Sequence, residues 1–593
     1  MKRPNRATRY HKVNRSLSAT SLNAYWAVIR KLSSSHEFPR KKEFTTACAA
    51  RDVPKLMDLA DFLSEQKYPD AYTHYVGNQI AALVRKFPFP GFEKKFKPKE
   101  VAFQKFIAAE QRCSRYNKLF ALRVRKNREK HAKDFYEMRA FIQYVLGSKP
   151  NMRLIFAECG FGPGASIGTH GNATNAGRKL SGSWTCSPSA RSYFAASVLS
   201  NSFMRRACFP LHDGFSDGTG DLVRKIHRRC KIVLHNKIEF VPKTTRTFRS
   251  IAVEPLGNGF VQKGVDQVMR KHLKRIGLDL GLQAPNQEMA RQGSLDDSPQ
   301  GFCTIDLSSA SDSISIELVR NLLPPEWFEL LNSLRSKSFE YDGEIRTYEK
   351  FCSMGNGFCF PLQTLLFAAA CHACDCGRPN TDFRVYGDDI IVRQAHVGAV
   401  LKLLRRMGFR ENASKTHVSG PFRESCGADW FGGVDVRPYN LDDHFNTIEN
   451  HFKFLNALRS RPLWETFFEP VREFILARLP QDFHFFRPFT GPSDTGLDCD
   501  DAFLTCRHVR YLGSGVWRWR ELAHSALPDK GVWLCEGLQI ALEWYAVFQS
   551  VNGSTPYTLR RKTRTTVRWE SHGGATSRWS PGTDRCEAIG WSS

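Results

Sequence analysis

The chain has 593 residues and 41% hydrophobic content, enough apolar material for several layers of core and too long for one ordinary domain. Lys and Arg number 86 against 59 Asp and Glu, a formal net charge of +27 that points to a polyanionic partner, nucleic acid first, because cationic grooves gain affinity by releasing counterions from phosphates. The 17 cysteines are scattered and odd in number, no apolar secretory signal opens the chain, and no apolar run approaches the roughly 20 residues of a membrane span, so disulfide-stapled and membrane-spanning classes give way to a soluble protein with reduced thiols.

In chain order, residues 1–36 contain no Asp or Glu, while Lys2, Arg3, Arg6, Arg9, Lys12 and Arg15 crowd the start, which predicts a basic arm, flexible at its end; a mitochondrial presequence has the same character. From about 50 to 150 the pattern is helical, with a basic band from Arg112 and Arg115 to Lys126, Arg128, Lys130 and Lys133 that either lines a nucleic-acid path or forms a solvated helix face. Phe161-Gly162-Pro163-Gly164-Ala165-Ser166 is a loop whose glycines let backbone approach a neighbour closely. Two strand-like runs between Ile238 and Glu254 are joined by a loop carrying Lys243, Arg246 and Arg249, three cations that repel one another unless an anion such as a triphosphate joins them.

A short apolar strand from Phe302 delivers Asp306 at its end, and a small-residue turn leads to Asp312, which is also placed to cap a following helix. Ser353 to Phe358 form a glycine loop before a helix over Leu362–Ala373 opened by Pro361. The cluster Cys371-His372-Ala373-Cys374-Asp375-Cys376 lacks a second ligand pair at a matching distance and reads as structural rather than zinc-binding. Val385-Tyr386-Gly387-Asp388-Asp389-Ile390-Ile391-Val392 predicts strand, turn, strand, with carboxylates at the tip and strand alternation turning Asp388 and Asp389 to opposite faces. Alone it is also an ordinary Gly-Asp turn. A helix bearing Val397, Val400, Leu401 and Leu404 ends at Gly408, Lys415 follows in a loop, and residues 422–434 suggest another hairpin. Val516-Trp517-Arg518-Trp519-Arg520 reads as an aromatic strand that stacks bases or covers a core edge. The tail from Gly553, with Arg560, Arg561, Lys562 and Arg564 and few aliphatic residues, is expected to be poorly ordered in isolation.

If the strand ending at Asp306 pairs beside the hairpin bearing Asp388 and Asp389, carboxylates from distant segments converge on one point, as a pair of Mg²⁺ ions some 3.5–4 Å apart requires. That arrangement suits nucleotidyl transfer, with the basic loop neutralising β and γ oxygens and Lys415 either donating a proton to pyrophosphate or making a surface salt bridge.

The order of basic loop, Asp-bearing strand, glycine loop with helix, Tyr-Gly-Asp-Asp hairpin and lysine loop resembles the motifs of right-handed RNA-dependent RNA polymerases. More narrowly, Val241-Pro242-Lys243, Asp306-Leu307-Ser308 with Ala310-Ser311-Asp312-Ser313, Met354-Gly355-Asn356-Gly357-Phe358, Tyr386-Gly387-Asp388-Asp389 and Gly420-Pro421-Phe422-Arg423-Glu424-Ser425-Cys426-Gly427 resemble the replicase catalytic (beta) subunit of positive-strand RNA bacteriophages, the Q-beta-like leviviruses. The resemblance implies an α+β right hand: an N-terminal region and fingers over 1–237, fingers with the basic NTP loop over 238–300, a palm of antiparallel sheet plus helices over 301–420, and a palm–thumb hairpin, mostly helical thumb and basic tail over 421–593. It also implies RNA-directed RNA synthesis with two Mg²⁺ ions, Mn²⁺ substituting, held by Asp306, Asp388 and Asp389; NTP contacts from Lys243, Arg246 and Arg249; and ribose 2′-hydroxyl sensing by Asp312 and Asn356. The implied partners are RNA template and product, NTPs, host elongation factors Tu and Ts and a ribosomal RNA-binding protein, in the cytoplasm of a bacterial host. A reverse transcriptase, a replicase of the mitochondrial RNA-virus lineage and a non-catalytic RNA-binding protein are the competing classes.

Overall fold

The computed structural model describes residues 6–125, 132–169, 179–180, 183–201, 204–205, 219–487, 493–498, 509–513, 516–526 and 563–572. Helices and small sheets mix in an α+β fold. The described residues divide into two compact units, one formed by Glu93–Arg437 and the other by the residues up to Phe92 together with those from Pro438 onward.

In the unit Glu93–Arg437 the strands are, in chain order, β1 (Trp184–Cys186), β2 (Cys230–Ile232), β3 (Asn236–Pro242), β4 (Phe248–Val253), β5 (Phe302–Ile305), β6 (Ser338–Tyr341), β7 (Glu344–Thr347), β8 (Arg384–Tyr386), β9 (Asp389–Arg393), β10 (Phe422–Ser425), β11 (Ala428–Phe431) and β12 (Val434–Asp435). They build a three-stranded antiparallel sheet in the order β5-β9-β8, a four-stranded sheet β4-β3-β6-β7, a meander β10-β11-β12 and a parallel pair β1-β2. The sheet β5-β9-β8 is nearly continuously apolar, with Cys303, Ile305, Val385, Ile390, Ile391 and Val392 all buried, as a sheet covered on both faces requires.

Cys359–Ala373 is the central helix of this unit, largely apolar and buried from Cys359 to Cys371 except for the partly exposed Phe360. It begins before the expected Leu362: Pro361 lies in its first turn, where a missing N–H forfeits no helical hydrogen bond. It packs against Lys133–Leu146 and Leu256–Arg275 and against β8. Each fully buried Leu or Phe here contributes roughly 1.5–3 kcal/mol. Gln394–Met407 ends at Gly408, which adopts φ 107° as the sequence expectation requires. Cys371 and Cys376 are buried free thiols, while His372 is exposed and stacks its ring on Phe141, contacts that suit the structural reading of the cluster. Of the basic band, Lys126, Arg128 and Lys130 lie outside the described residues.

In the other unit, the basic arm is helical from Arg6 on, in the 30-residue helix Arg6–Ser35, and its first five residues, where flexibility was expected, lie outside the described residues. Leu17, Ser21, Ala24, Tyr25, Val28, Ile29 and Leu32 recur at helical spacing and are buried, so an apolar stripe overrides the basic composition. The stripe packs against Lys41–Ala50 and Pro462–Ala477, and Val53–Glu65 pairs with Ala71–Arg85. Here β13 (Phe486–Arg487) pairs with β14 (Leu497–Asp498), and β15 (Val509–Gly513), β16 (Val516–Ala526) and β17 (Thr563–His572) form an antiparallel sheet. The part of the tail in β17 is a strand by virtue of its pairing with β16, which its run of Thr and Val with Trp569 suits through β-branched and aromatic character, while the expectation of poor order concerned the tail in isolation. Arg560, Arg561 and Lys562 lie outside the described residues.

No helix among the described residues is long and apolar enough to cross a membrane.

Candidate active site

β5 pairs antiparallel with β9 in a register that opposes Ile305 to Ile390, and β9 returns from β8 with Tyr386 opposite Asp389. Asp306 follows the last residue of β5, while Asp388 and Asp389 lie at the β8–β9 turn, so the acids of two distant segments stand at the same end of one sheet. The turn needs a positive φ only at its first central position, the sign pattern of a type II′ hairpin, and Gly387 supplies it at 66°. The Gly387 N–H donates to Thr364 Oγ1 at 3.0 Å, and the Tyr386 ring meets Phe360 edge-on at 5.1 Å, which ties the tip to the central helix.

The other edge of β5 is lined by 410–418. Thr304 and His417 exchange backbone hydrogen bonds of 3.2 and 2.8 Å, Asn412 N–H donates to the Asp306 carbonyl at 2.9 Å, and the Asn412 side-chain amide donates to Asp306 Oδ2 at 2.6 Å. Asp306 is therefore held at its backbone and at its carboxylate by this one segment. Lys415 is carried on this same segment.

Burial raises the Asp306 carboxyl above the usual range; Asn412 and Lys415 pull it down, and the charges of Asp388 and Glu424 push it up again. Asp389 is pushed up to about 7, chiefly by burial and then by Asp388 and Glu424. Its carboxylate accepts from the Cys426 thiol at 3.6 Å, whereas Asp388 is exposed, so the two neighbours do face different surroundings. Asp306, Asp389, Lys415 and Glu424 line one small cavity with Thr304 and Ser425. Burial opposes the charge of Lys415, but Glu424 at 3.3 Å and Asp306 outweigh it and raise the ammonium above its ordinary value.

A concentration of acids that raise one another's cost of ionisation, offering oxygen donors only, suits a hard divalent cation. Among the described residues no three His, Cys, Asp or Glu side chains are already grouped to hold a metal ion. The acids thus fit such an ion as electrostatic neighbours, not as a finished cage.

The loop between β3 and β4 carries Lys243 and Arg246, while Arg249, expected on the same loop, lies in β4 opposite Val241. Lys243 is exposed, yet its ammonium sits below the ordinary lysine value, from desolvation by its surroundings first and then from Arg249 and Lys415, with Asp306 working the other way. The loop cation and the acid at the end of β5 therefore feel each other. Arg246 covers the Phe96 ring at 5.5 Å.

Asp312 lies in the short turn Ser311–Ser313 and binds the Lys350 ammonium at 2.8 Å; it makes no helix cap there. Asn356 is buried, with Oδ1 accepting from the Phe358 N–H at 3.1 Å, and lines a polar pocket with Glu254, Asn236 and Ser336. Its Nδ2 has no hydrogen-bond partner among the described residues.

Sequence reasoning assigned no part to Asn412 or Lys350, and used Glu424 and Cys426 only as letters of a motif without a role in the site. The alternation of β10, which turns Glu424 and Phe422 away from the fully buried Arg423, was a usable signal for Glu424. Arg423 itself donates to the carbonyls of Phe302, Gly420 and Phe422 at 2.7, 2.6 and 2.8 Å, and so clamps β10 onto β5.

A family model described as RNA replicase, beta-chain, matches residues 47–470. The RNA-directed RNA polymerase subunit beta of Enterobacteria phage SP is 33% identical over 426 residues, 69% of this chain and 70% of that protein. That of Escherichia virus Qbeta is 36% identical over 355 residues, covering 58% of this chain and 55% of its own length. The RNA-directed RNA polymerase beta chain of Escherichia phage MS2 is 43% identical over 230 residues, 39% of this chain and 42% of that one. The matched stretch thus spans from under half to about two thirds of these relatives. Because residues 47–470 take in the sheet β5-β9-β8, its acids and both lysine-bearing loops, the chain belongs to the RNA replicase beta-chain family.

Proposed function

We propose that this chain is an RNA-directed RNA polymerase that copies a positive-strand phage genome from ribonucleoside triphosphates, joining a 3′-hydroxyl to an α-phosphate and releasing pyrophosphate. The observation that carries the reading is the pairing of β5 with β9, which brings the Asp306 end of one strand beside the Asp388–Asp389 turn. In this reading the sheet β5-β9-β8 is the palm of a right hand, with fingers and thumb around it, and the protein acts in the cytoplasm of a bacterial host.

Asp306 and Asp388 would hold divalent ions, Mg²⁺ or Mn²⁺, with Asp389 supporting them from its buried side. Such ions, when bound, lower the pKa of a hydroxyl nucleophile and neutralise phosphate oxygens. Lys243, Arg246 and Arg249 bind the β- and γ-phosphates, a role for which mutually repelling cations are suited. Lys415, kept protonated by Glu424 and Asp306, delivers a proton to the departing pyrophosphate. Asp312 accepts a hydrogen bond from the ribose 2′-hydroxyl, and Asn356 supports the same contact.

The test is template-directed incorporation by purified chain with and without Mg²⁺, and with or without elongation factors Tu and Ts and a ribosomal RNA-binding protein. Wild type incorporates ribonucleotides only with the cation, and Asp388→Asn abolishes synthesis while keeping salt-sensitive RNA binding. Synthesis retained in that variant, or a preference for deoxynucleotides in wild type, overturns the reading.

A further inference from the structure

Lys350 is fully buried, and its ammonium lies 2.8 Å from Asp312 Oδ1, 3.4 Å from Glu110 Oε1 and 3.4 Å from the centroid of the Phe106 ring. The three charged groups come from three separate segments: the helix Pro98–Arg125, the turn Ser311–Ser313 and the stretch after β7. Backbone contacts lock them together. Phe351 N–H donates to the Ile314 carbonyl at 2.7 Å, Ser315 and Lys350 form an antiparallel bridge, and Glu349 N–H donates to Glu110 Oε2 at 2.6 Å.

A buried ion cluster of this kind is a poor device for stability, because desolvation consumes most of the Coulombic gain and apolar residues of equal volume do as well or better. What it does supply is direction. Of its two carboxylates, Glu110 is turned inward, while Asp312 retains 17% side-chain exposure. With Oδ1 committed to an ammonium, which only donates, Oδ2 is the oxygen turned to any further donor. The same stretch reaches Asn356 six residues later, so one segment carries the group that fixes Asp312 and the second residue assigned to ribose recognition.

We propose that Lys350 is a positioning residue for ribose selection: its ammonium, braced by Glu110, fixes the Asp312 carboxylate so that Oδ2 accepts the 2′-hydroxyl of the incoming nucleotide. This rests on the polymerase reading above. A deoxynucleotide then leaves a fixed acceptor without its donor, and a site built around a hydroxyl rejects the analogue lacking it more strongly than a pliable one.

The test is Lys350→Met combined with Glu110→Gln in the full chain, which removes one charge of each sign and leaves Asp312 in place. Steady-state incorporation of ATP and dATP on one template is compared with wild type, alongside the melting temperature. The ATP-over-dATP ratio of kcat/KM is expected to fall about tenfold, through a higher KM for ATP with little change for dATP. Equal losses for both nucleotides, or an unchanged ratio in folded protein, overturn the proposal. If the double variant does not fold, Glu110→Gln alone decides: loss of the brace is expected to lower the ratio, by less than the double change, and an unchanged ratio in folded protein overturns the assignment. Wild type that incorporates no ribonucleotide sinks the polymerase reading instead, a result visible before any variant is made.

Discussion

At the scale of single residues, the unit that contains the N-terminal helix carries a buried histidine whose protonation state is set by geometry. His451 Nε2 faces the Arg478 Nε–H at 3.2 Å, and since a guanidinium only donates, Nε2 accepts, which leaves the proton on Nδ1, 2.7 Å from the Thr447 carbonyl. Burial above all, with Arg478 adding to it against the Thr447 contact, pushes the imidazole down to about 4. A folded value below the ordinary 6.5 means that protons bind the unfolded chain preferentially, so the contribution to stability is complete above pH 6.5 and disappears as pH falls toward 4. The shift corresponds to roughly 3 kcal/mol. Urea midpoints are expected to hold steady from pH 8 to 7 and decline below 6.5, with a shallower decline in His451→Gln, which accepts from Arg478 without titrating; identical slopes would contradict this. His417, also pushed down to about 4 chiefly by burial, acts in the same direction in the other unit.

At the scale of elements, the β8–β9 hairpin was legible because its chemistry is local. A glycine between a strand-forming run and two acids requires a tight turn, and the turn is there. A Cβ on Gly387 would stand 2.3 Å from Phe360 Cε2 in a backbone conformation that disfavours side chains, so Gly387→Ala must shift the ring or open the turn. At a cost of about 1–2 kcal/mol, it is expected to lower the rate of synthesis roughly tenfold with template affinity preserved. Turnover at the wild-type rate would show that the tip needs no rigid seat. The helix ending at Gly408 and the β3–β4 basic loop were legible for the same local reason. The edge made by 410–418 was not, because it pairs with β5 through irregular backbone contacts that leave no alternation in the sequence. Nor was the Lys350 cluster, whose partner Glu110 is 240 residues away. A lysine in that context reads as one more surface cation until the fold buries it. The N-terminal helix failed in the opposite sense, since its basic composition masked an apolar stripe.

At the scale of the whole molecule, the excess of Lys and Arg was the earliest pointer to a polyanionic partner, and the structure gives part of it a local address: Arg249 and Lys415 both bear on the Lys243 ammonium, which Asp306 also reaches. The division into two units was not legible, because a unit that contains both Phe92 and Pro438 is joined in space and not along the chain. What unites the account is that β5 and the β8–β9 turn bring their acids to the same end of one sheet, where the proposed function places shared divalent ions. Mn²⁺ uptake followed by electron paramagnetic resonance tests this most directly, in wild type, Asp306→Asn and Asp388→Asn. Wild type is expected to bind Mn²⁺ tightly, and each single variant to lose most of that binding, because neither strand holds the ions alone. Wild-type uptake by either variant would contradict a shared site.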